Sequence, residues 1–271
     1  MRYSVNVSIL YKEYPFVERF ARAKADGFSA VEFWWPSGED LDAVERAVRE
    51  SGLQAILINF DAGDMPAGDR GLVSDPKRQA AFRENVPVAL GLADRLGCKM
   101  MNALLGVRVP DLSVEQQLAV ARENIIFAAD QAAKQGATIM IEAVNTIENG
   151  AYLIHTTKDA ADFLKSIGRP NVKLQYDVYH MQRMEGNIAA TIESNFGDIA
   201  HVQIADSPGR GEPGTGEIHY PYVFAKLEEL NYSGYIGLEY KPATGKTEES
   251  FGWLPKEARG GDLGASAQTI Y

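Results

Sequence analysis

TIMIEAVN from Thr138 and VKLQYDVYH from Val172 decide how the chain is read. Each is a short run of mostly apolar residues, of the length that forms a strand, and each carries an acidic residue near its end: Glu142 in the first, Asp177 in the second. The same form recurs toward the C-terminus in AHVQIAD from Ala200, with Gln203, and in YIGLEYKP from Tyr235, with Glu239. Toward the N-terminus it recurs in KMMNALLG from Lys99, LQAILINF from Leu53, AVEFWW from Ala30 and YSVNVSIL from Tyr3, which makes eight candidate strands.

Longer stretches lie between them, with apolar residues every three or four positions: FVERFARAKADGF, LDAVERAVRES, DPKRQAAFRENVPVALGLADRLG and SVEQQLAVARENIIFAADQAAKQG. Each is long enough for a crossover helix. Asp75 before Pro76 and Ser113 before Val114 read as helix N-caps, and Gly52, Gly97 and Gly136 stand where glycine ends a helix. Eight strands with intervening helices predict a single (β/α)8 TIM barrel. An open doubly wound sheet is the alternative, but it usually has fewer strands and a glycine-rich phosphate turn after the first, whereas this strand runs into Leu10, Tyr11 and Lys12. The expectation is one domain over 1–271, with a tail after about 256, including Tyr271, that is mobile or packs on another subunit.

Composition excludes more than it identifies. The chain has 271 residues, 45% hydrophobic and 24% charged, enough apolar material for a sizeable core. A formal charge of −10 repels a phosphate backbone, so nucleic acid is not an expected partner. No apolar run is long enough to span a membrane and no secretory leader opens the chain, from which a cytoplasmic protein is expected. Cys98 is the only cysteine, which rules out an internal disulfide and a thiolate zinc cluster and reads as a buried bystander.

In a barrel of this kind the reactive groups sit at the C-terminal ends of the strands. Glu142, Asp177, Gln203 and Glu239 end four consecutive strands, and each is costly to bury unless it is paired, hydrogen-bonded or metal-bound. Together they form an all-oxygen set suited to Mg²⁺ or Mn²⁺ rather than zinc. Glu142 and Glu239 are also placed to move a proton from one carbon to its neighbour. His180, three residues beyond Asp177, is a candidate contact for a substrate hydroxyl or carbonyl. Arg210, in the glycine-rich loop QIADSPGRGEPGTGEI, is a candidate clamp for a substrate carboxylate. Glu148 is a weaker candidate for a substrate hydroxyl, with a solvated loop charge as its plainer reading. Trp34 and Trp35 either wall the pocket or sit in the core. His201 shares a strand with Gln203 and is expected on the same side, while His155 and His219 fit no ligand spacing.

The motifs IEAVN, QYDVYHMQRMEGN, HVQIADSPGRGEPGTGEIHYPYVF and GLEYKP, with FGW beyond, resemble the hydroxypyruvate isomerase family of the xylose-isomerase-like TIM barrels. The resemblance implies interconversion of hydroxypyruvate and tartronate semialdehyde through an enediolate. Glu142 and Glu239 would be the bases, and Glu142, Asp177, Gln203 and Glu239 the ligands of a divalent metal. His180 and Arg210 match positions that contact substrate. Related ketose 3-epimerases usually carry histidine where this chain has Gln203, and the endonucleases of the superfamily need more histidines than the four present. After AVN the chain reads TIENGAYLIHTT, where the relatives carry a charged residue and then Pro-Gly, so a four-carbon 2-oxo-tetronate or a neutral ketose stays open as substrate. The competing readings are a ketose 3-epimerase and a non-catalytic sugar-acid binding protein. A homo-oligomer is left open.

Overall fold

The computed structural model describes residues 1–261. Eight parallel strands close in sequential order: β1 Arg2–Asn6, β2 Ala30–Phe33, β3 Gln54–Asn59, β4 Met100–Asn102, β5 Thr138–Glu142, β6 Val172–Asp177, β7 Ile199–Ile204 and β8 Tyr235–Leu238, with β8 pairing back onto β1. Outside them run α1 Arg19–Ala25, α2 Leu41–Ser51, α3 Gln79–Leu96, α4 Val114–Ala132, α5 Thr146–Asn149, α6 Thr157–Ile167, α7 Val178–Met184, α8 Ile188–Asn195, α9 Tyr220–Glu229 and α10 Lys256–Arg259. The barrel is closed, so the open-sheet alternative is set aside.

Alternation along the strands divides apolar from polar faces. Tyr3 meets Phe224 of α9 and Trp253 edge-on, Phe33 packs on Phe16 and Phe20, and Phe60 packs on Phe82 of α3. Each such buried aromatic stabilises the outer layer by roughly 1.5–3 kcal/mol relative to exposure. Ser4, Asn6, Glu32, His201 and Gln203 instead share one buried hydrogen-bond network across the barrel. Gly237 of β8 makes room for it, because a Cβ there would lie 2.5 Å from Glu32 Oε2.

Local signals set most helix ends. Ser113 caps α4 in a reciprocal capping box with Gln116, and Gly52, Gly97 and Gly136 adopt left-handed φ angles of 66°, 68° and 66°. Asp75 does not cap a helix. Its Oδ1 accepts from Lys77 N at 2.8 Å and its carbonyl from Arg78 N at 2.9 Å, so it closes a turn, and α3 begins at Gln79 with Arg78 as its cap residue. Within the expected tail, α10 is tied to the barrel by Arg259, which donates to Asp26 O at 2.9 Å. The rest of that tail, with Tyr271, lies outside the described residues.

Candidate active site

Glu142 and Asp177 are the last residues of β5 and β6, Gln203 is next to last in β7, and Glu239 follows β8 directly, its amide donating to Ile204 O at 3.1 Å. All four are buried. The residues after Asp177, expected to continue a strand, turn into α7. The cause is Asp177 itself, whose Oδ1 caps the helix by accepting from Tyr179 N at 2.8 Å and His180 N at 3.2 Å. Its other oxygen, Oδ2, is buried with no hydrogen-bond partner.

Burial pushes the Glu142 carboxyl well above the ordinary carboxylate range, and repulsion from Glu239 and Asp177 pushes the same way. Burial raises Asp177 too, although Arg210 and two backbone amides oppose it. Glu239 is raised to about 7 by burial against the pull of Arg210. Three buried carboxyl groups thus face a single guanidinium. Arg210 Nη2 donates to Glu239 Oε2, while Glu239 Oε1 accepts from Trp34 Nε1 at 2.8 Å and Asn6 Nδ2 at 3.0 Å. The Arg210 guanidinium lies 5.4 Å from the centre of the Tyr179 ring.

The loop that delivers Arg210 is built around Asp206, whose carboxylate accepts from Gly214 N at 2.8 Å, Gly216 N at 2.9 Å and Ile218 N at 3.0 Å. Position 216 must be glycine, since a Cβ there would stand 2.0 Å from Ser207 O. Arg210 holds a φ of 58°, and its carbonyl accepts from Lys241 N at 2.7 Å.

His180 Nε2 lies 3.9 Å from Glu142 Oε1 and 3.6 Å from Asp177 Oδ2. Among the described residues these three form the one group of acidic and imidazole side chains tight enough to hold a metal ion, their candidate ligand atoms lying within 4.8 Å of one another. The histidine in it acts as a donor. Asn145 Oδ1 is taken by Glu148 N at 3.0 Å, which turns Asn145 Nδ2 toward His180 Nδ1 at 2.6 Å. Nδ1 therefore accepts, and the proton of the neutral ring sits on Nε2. Burial and the nearby Arg210 both favour the neutral form.

The other expected residues are distributed unevenly. Glu148 is solvent-exposed, accepts from Tyr179 OH and lies 3.6 Å from Lys241 Nζ, so it steadies the ring beside Arg210. Trp34 reaches the site through its indole N–H, and Trp35 lines the adjoining cavity of about 250 Å³ with it. His201 does point to the side of Gln203, toward Glu32. His155 and His219 fall outside the metal-capable group, and burial lifts the Cys98 thiol to about 12, which suits a bystander. Sequence reading missed Glu32, Asn6, Asn145 and Asn102, whose Nδ2 donates to Glu142 Oε2 at 2.8 Å. Glu32 was the readable one: it is a carboxylate inside the apolar run AVEFWW, the signal that marked the other four strands.

Comparison with known proteins agrees with this architecture. Residues 20–257 match the family described as xylose isomerase-like TIM barrel, and the chain belongs to that family. It is an isomerase homologous to the hydroxypyruvate and 2-oxo-tetronate isomerases. Hydroxypyruvate isomerase of Escherichia coli K12 is 40% identical over 254 residues, covering 94% of this chain and 98% of its own. 2-Oxo-tetronate isomerase of Cupriavidus necator H16 is 39% identical over 253 residues, covering 93% and 97%. A crystal structure from Brucella melitensis described as a family 2 AP endonuclease superposes with a TM-score of 0.88 at 39% identity, covering 93% and 97%.

Proposed function

We propose that this isomerase interconverts a short 2-oxo-hydroxy acid and its aldehyde isomer, hydroxypyruvate with tartronate semialdehyde or a four-carbon 2-oxo-tetronate with its isomer. The observation that carries the reading is the buried Arg210 beside two carboxyl groups of raised pKa, an arrangement that matches a small substrate bearing a carboxylate. Relatives named for both substrates, at 40% and 39% identity, support it.

The residues fit a divalent metal. Asp177 Oδ2 is a buried oxygen with no partner, and three buried carboxyl groups have only one guanidinium among them. Glu142 and Asp177 of the tight group, joined by Gln203 and by Glu239 from outside it, would hold Mg²⁺ or Mn²⁺, a hard cation suited to oxygen ligands, while His180 keeps its proton. When bound, such an ion acts as a Lewis acid toward substrate oxygen.

The chain's own groups account for the rest. Arg210 turns from Glu239 to the substrate carboxylate, and His180 Nε2–H donates to a substrate oxygen. One of Glu142 and Glu239 takes a proton from C3 of hydroxypyruvate, leaving the C2–C3 enediolate, and the other gives a proton to C2. As the aldehyde forms, the C3 hydroxyl loses its proton and the C2 oxygen gains one, so the number of hydrogens is unchanged. Matching the raised carboxyl pKa to a pH near 7 suits this transfer.

Incubating the Mn²⁺-loaded enzyme in D₂O with three- and four-carbon 2-oxo-hydroxy acids, and with fructose and tagatose, tests the reading. Deuterium should enter the acids at the carbon flanking the carbonyl. Exchange confined to C3 of the ketoses would establish 3-epimerisation instead. Tight acid binding without exchange would establish a binding protein.

A further inference from the structure

Glu32 has no place in the chemistry above, yet it is the most densely bonded side chain beneath the site. It is fully buried in β2, and each carboxylate oxygen meets two side chains. Oε1 faces Gln203 Nε2 at 2.6 Å and Asn6 Nδ2 at 3.4 Å, while Oε2 faces Ser4 Oγ at 3.0 Å and His201 Nε2 at 2.8 Å. A buried carboxylate so placed must repay its loss of hydration through these bonds.

Two of its partners lead directly to the site. An amide has distinct ends, and because its Nε2 is committed to Glu32, Gln203 must present its oxygen on the opposite side. That oxygen accepts from Gln175 Nε2 at 2.6 Å and has a second lone pair. Asn6 is oriented in the same way: its Oδ1 accepts from Ser8 N at 3.0 Å, so Nδ2 bridges from Glu32 to Glu239 Oε1 at 3.0 Å. Strands 7 and 8 thus hold their two expected ligand side chains against one anchor on strand 2. Gly237 preserves the space the anchor needs.

We infer that Glu32 is a positioning residue that aims the Gln203 amide oxygen and, through Asn6, the Glu239 carboxylate toward a divalent cation. The inference rests on the reading of Gln203 and Glu239 as ligands. Partners one step behind a ligand usually contribute tenfold to a hundredfold in metal affinity.

The test measures Mn²⁺ binding by calorimetry on the chelator-treated protein, with the metal-free Tm recorded alongside, for Glu32→Gln, Glu32→Asp and Gln203→Leu. Glu32→Gln places an N–H either against the donors of Gln203 and Asn6 or against Ser4 and His201, whereas Glu32→Asp keeps the charge and withdraws it by one methylene. Both should raise the Mn²⁺ dissociation constant at least tenfold while the metal-free Tm stays within a few degrees of wild type. If Glu32→Gln does not fold, Glu32→Asp is read by the same measure. Wild-type affinity in Glu32→Asp overturns the positioning role, even if Glu32→Gln weakens binding, because charge alone would then account for the effect. Falling Tm with unchanged Mn²⁺ affinity also overturns it, showing a purely structural residue. Gln203→Leu separates the two levels: weakened binding there beside wild-type affinity in the Glu32 variants refutes the anchor alone, and undiminished binding there refutes the ligand reading and the anchor together.

Discussion

Replacing Glu239 with glutamine should make the metal-free protein gain stability relative to wild type as pH rises. The carboxyl is raised from 4.5 to about 7 by burial, with Arg210 opposing. A raised carboxyl pKa means that folding favours the protonated group. Its contribution is fully present below about 4.5 and is lost as pH rises through about 7. The difference between those values corresponds to about 3 kcal/mol at 1.36 kcal/mol per pH unit. Glu239→Gln removes the titration and keeps the shape. His180, whose depressed pKa makes it act with the opposite sign at acid pH, is common to both proteins and cancels in the difference. Part of this is already lost at pH 5, which leaves about 2.5 kcal/mol to lose by pH 8; at about 2 °C per kcal/mol for a chain of this size, the variant should gain roughly 5 °C on wild type over that range. Scanning calorimetry of both proteins after chelation, at half-unit steps of pH, measures it. A Tm difference flat to within about 1 °C refutes the argument. A difference of the reverse sign would mean that the Arg210 pair outweighs burial.

Three further outcomes follow from the geometry. Arg210→Gln should lower kcat/KM for a 2-oxo acid about tenfold more than for a neutral ketose, the worth of a charge-assisted bond; steady-state kinetics on both classes checks it. Asp206→Asn removes part of the carboxylate that gathers Gly214, Gly216 and Ile218, so amide hydrogen exchange at these residues should quicken while β7 itself stays protected. Ser113→Ala should cost about 1 kcal/mol, or about 2 °C in Tm, through loss of the capping box on α4, with no change in activity.

Much of the frame was legible in the chain because strands, helices and their ends are decided by neighbours. Short apolar runs marked the eight strands and helical periods the helices between the first five of them, and Ser113, Gly52, Gly97 and Gly136 mark ends through bonds and dihedrals within a few residues. Asp75 shows the limit, since a cap and a turn use the same side-chain bond and only the following backbone distinguishes them. The acidic residues at the strand ends were legible too, because a carboxylate in an apolar run needs a reason.

Their partners were not. Glu32 meets Gln203 across 171 residues, Asn6 meets Glu239 across 233, and Arg210 reaches Glu239 by a loop conformation that Asp206 imposes. Which end of an amide faces inward, and which nitrogen of His180 carries the proton, depend on bonds that exist only after the barrel has closed. Sequence by itself determined the barrel and the identity of the oxygen groups at its mouth, since both follow from local pattern and the cost of burying charge. Tertiary structure alone decided how those groups are aimed and held, because aim is set by side-chain contacts between strands far apart along the chain.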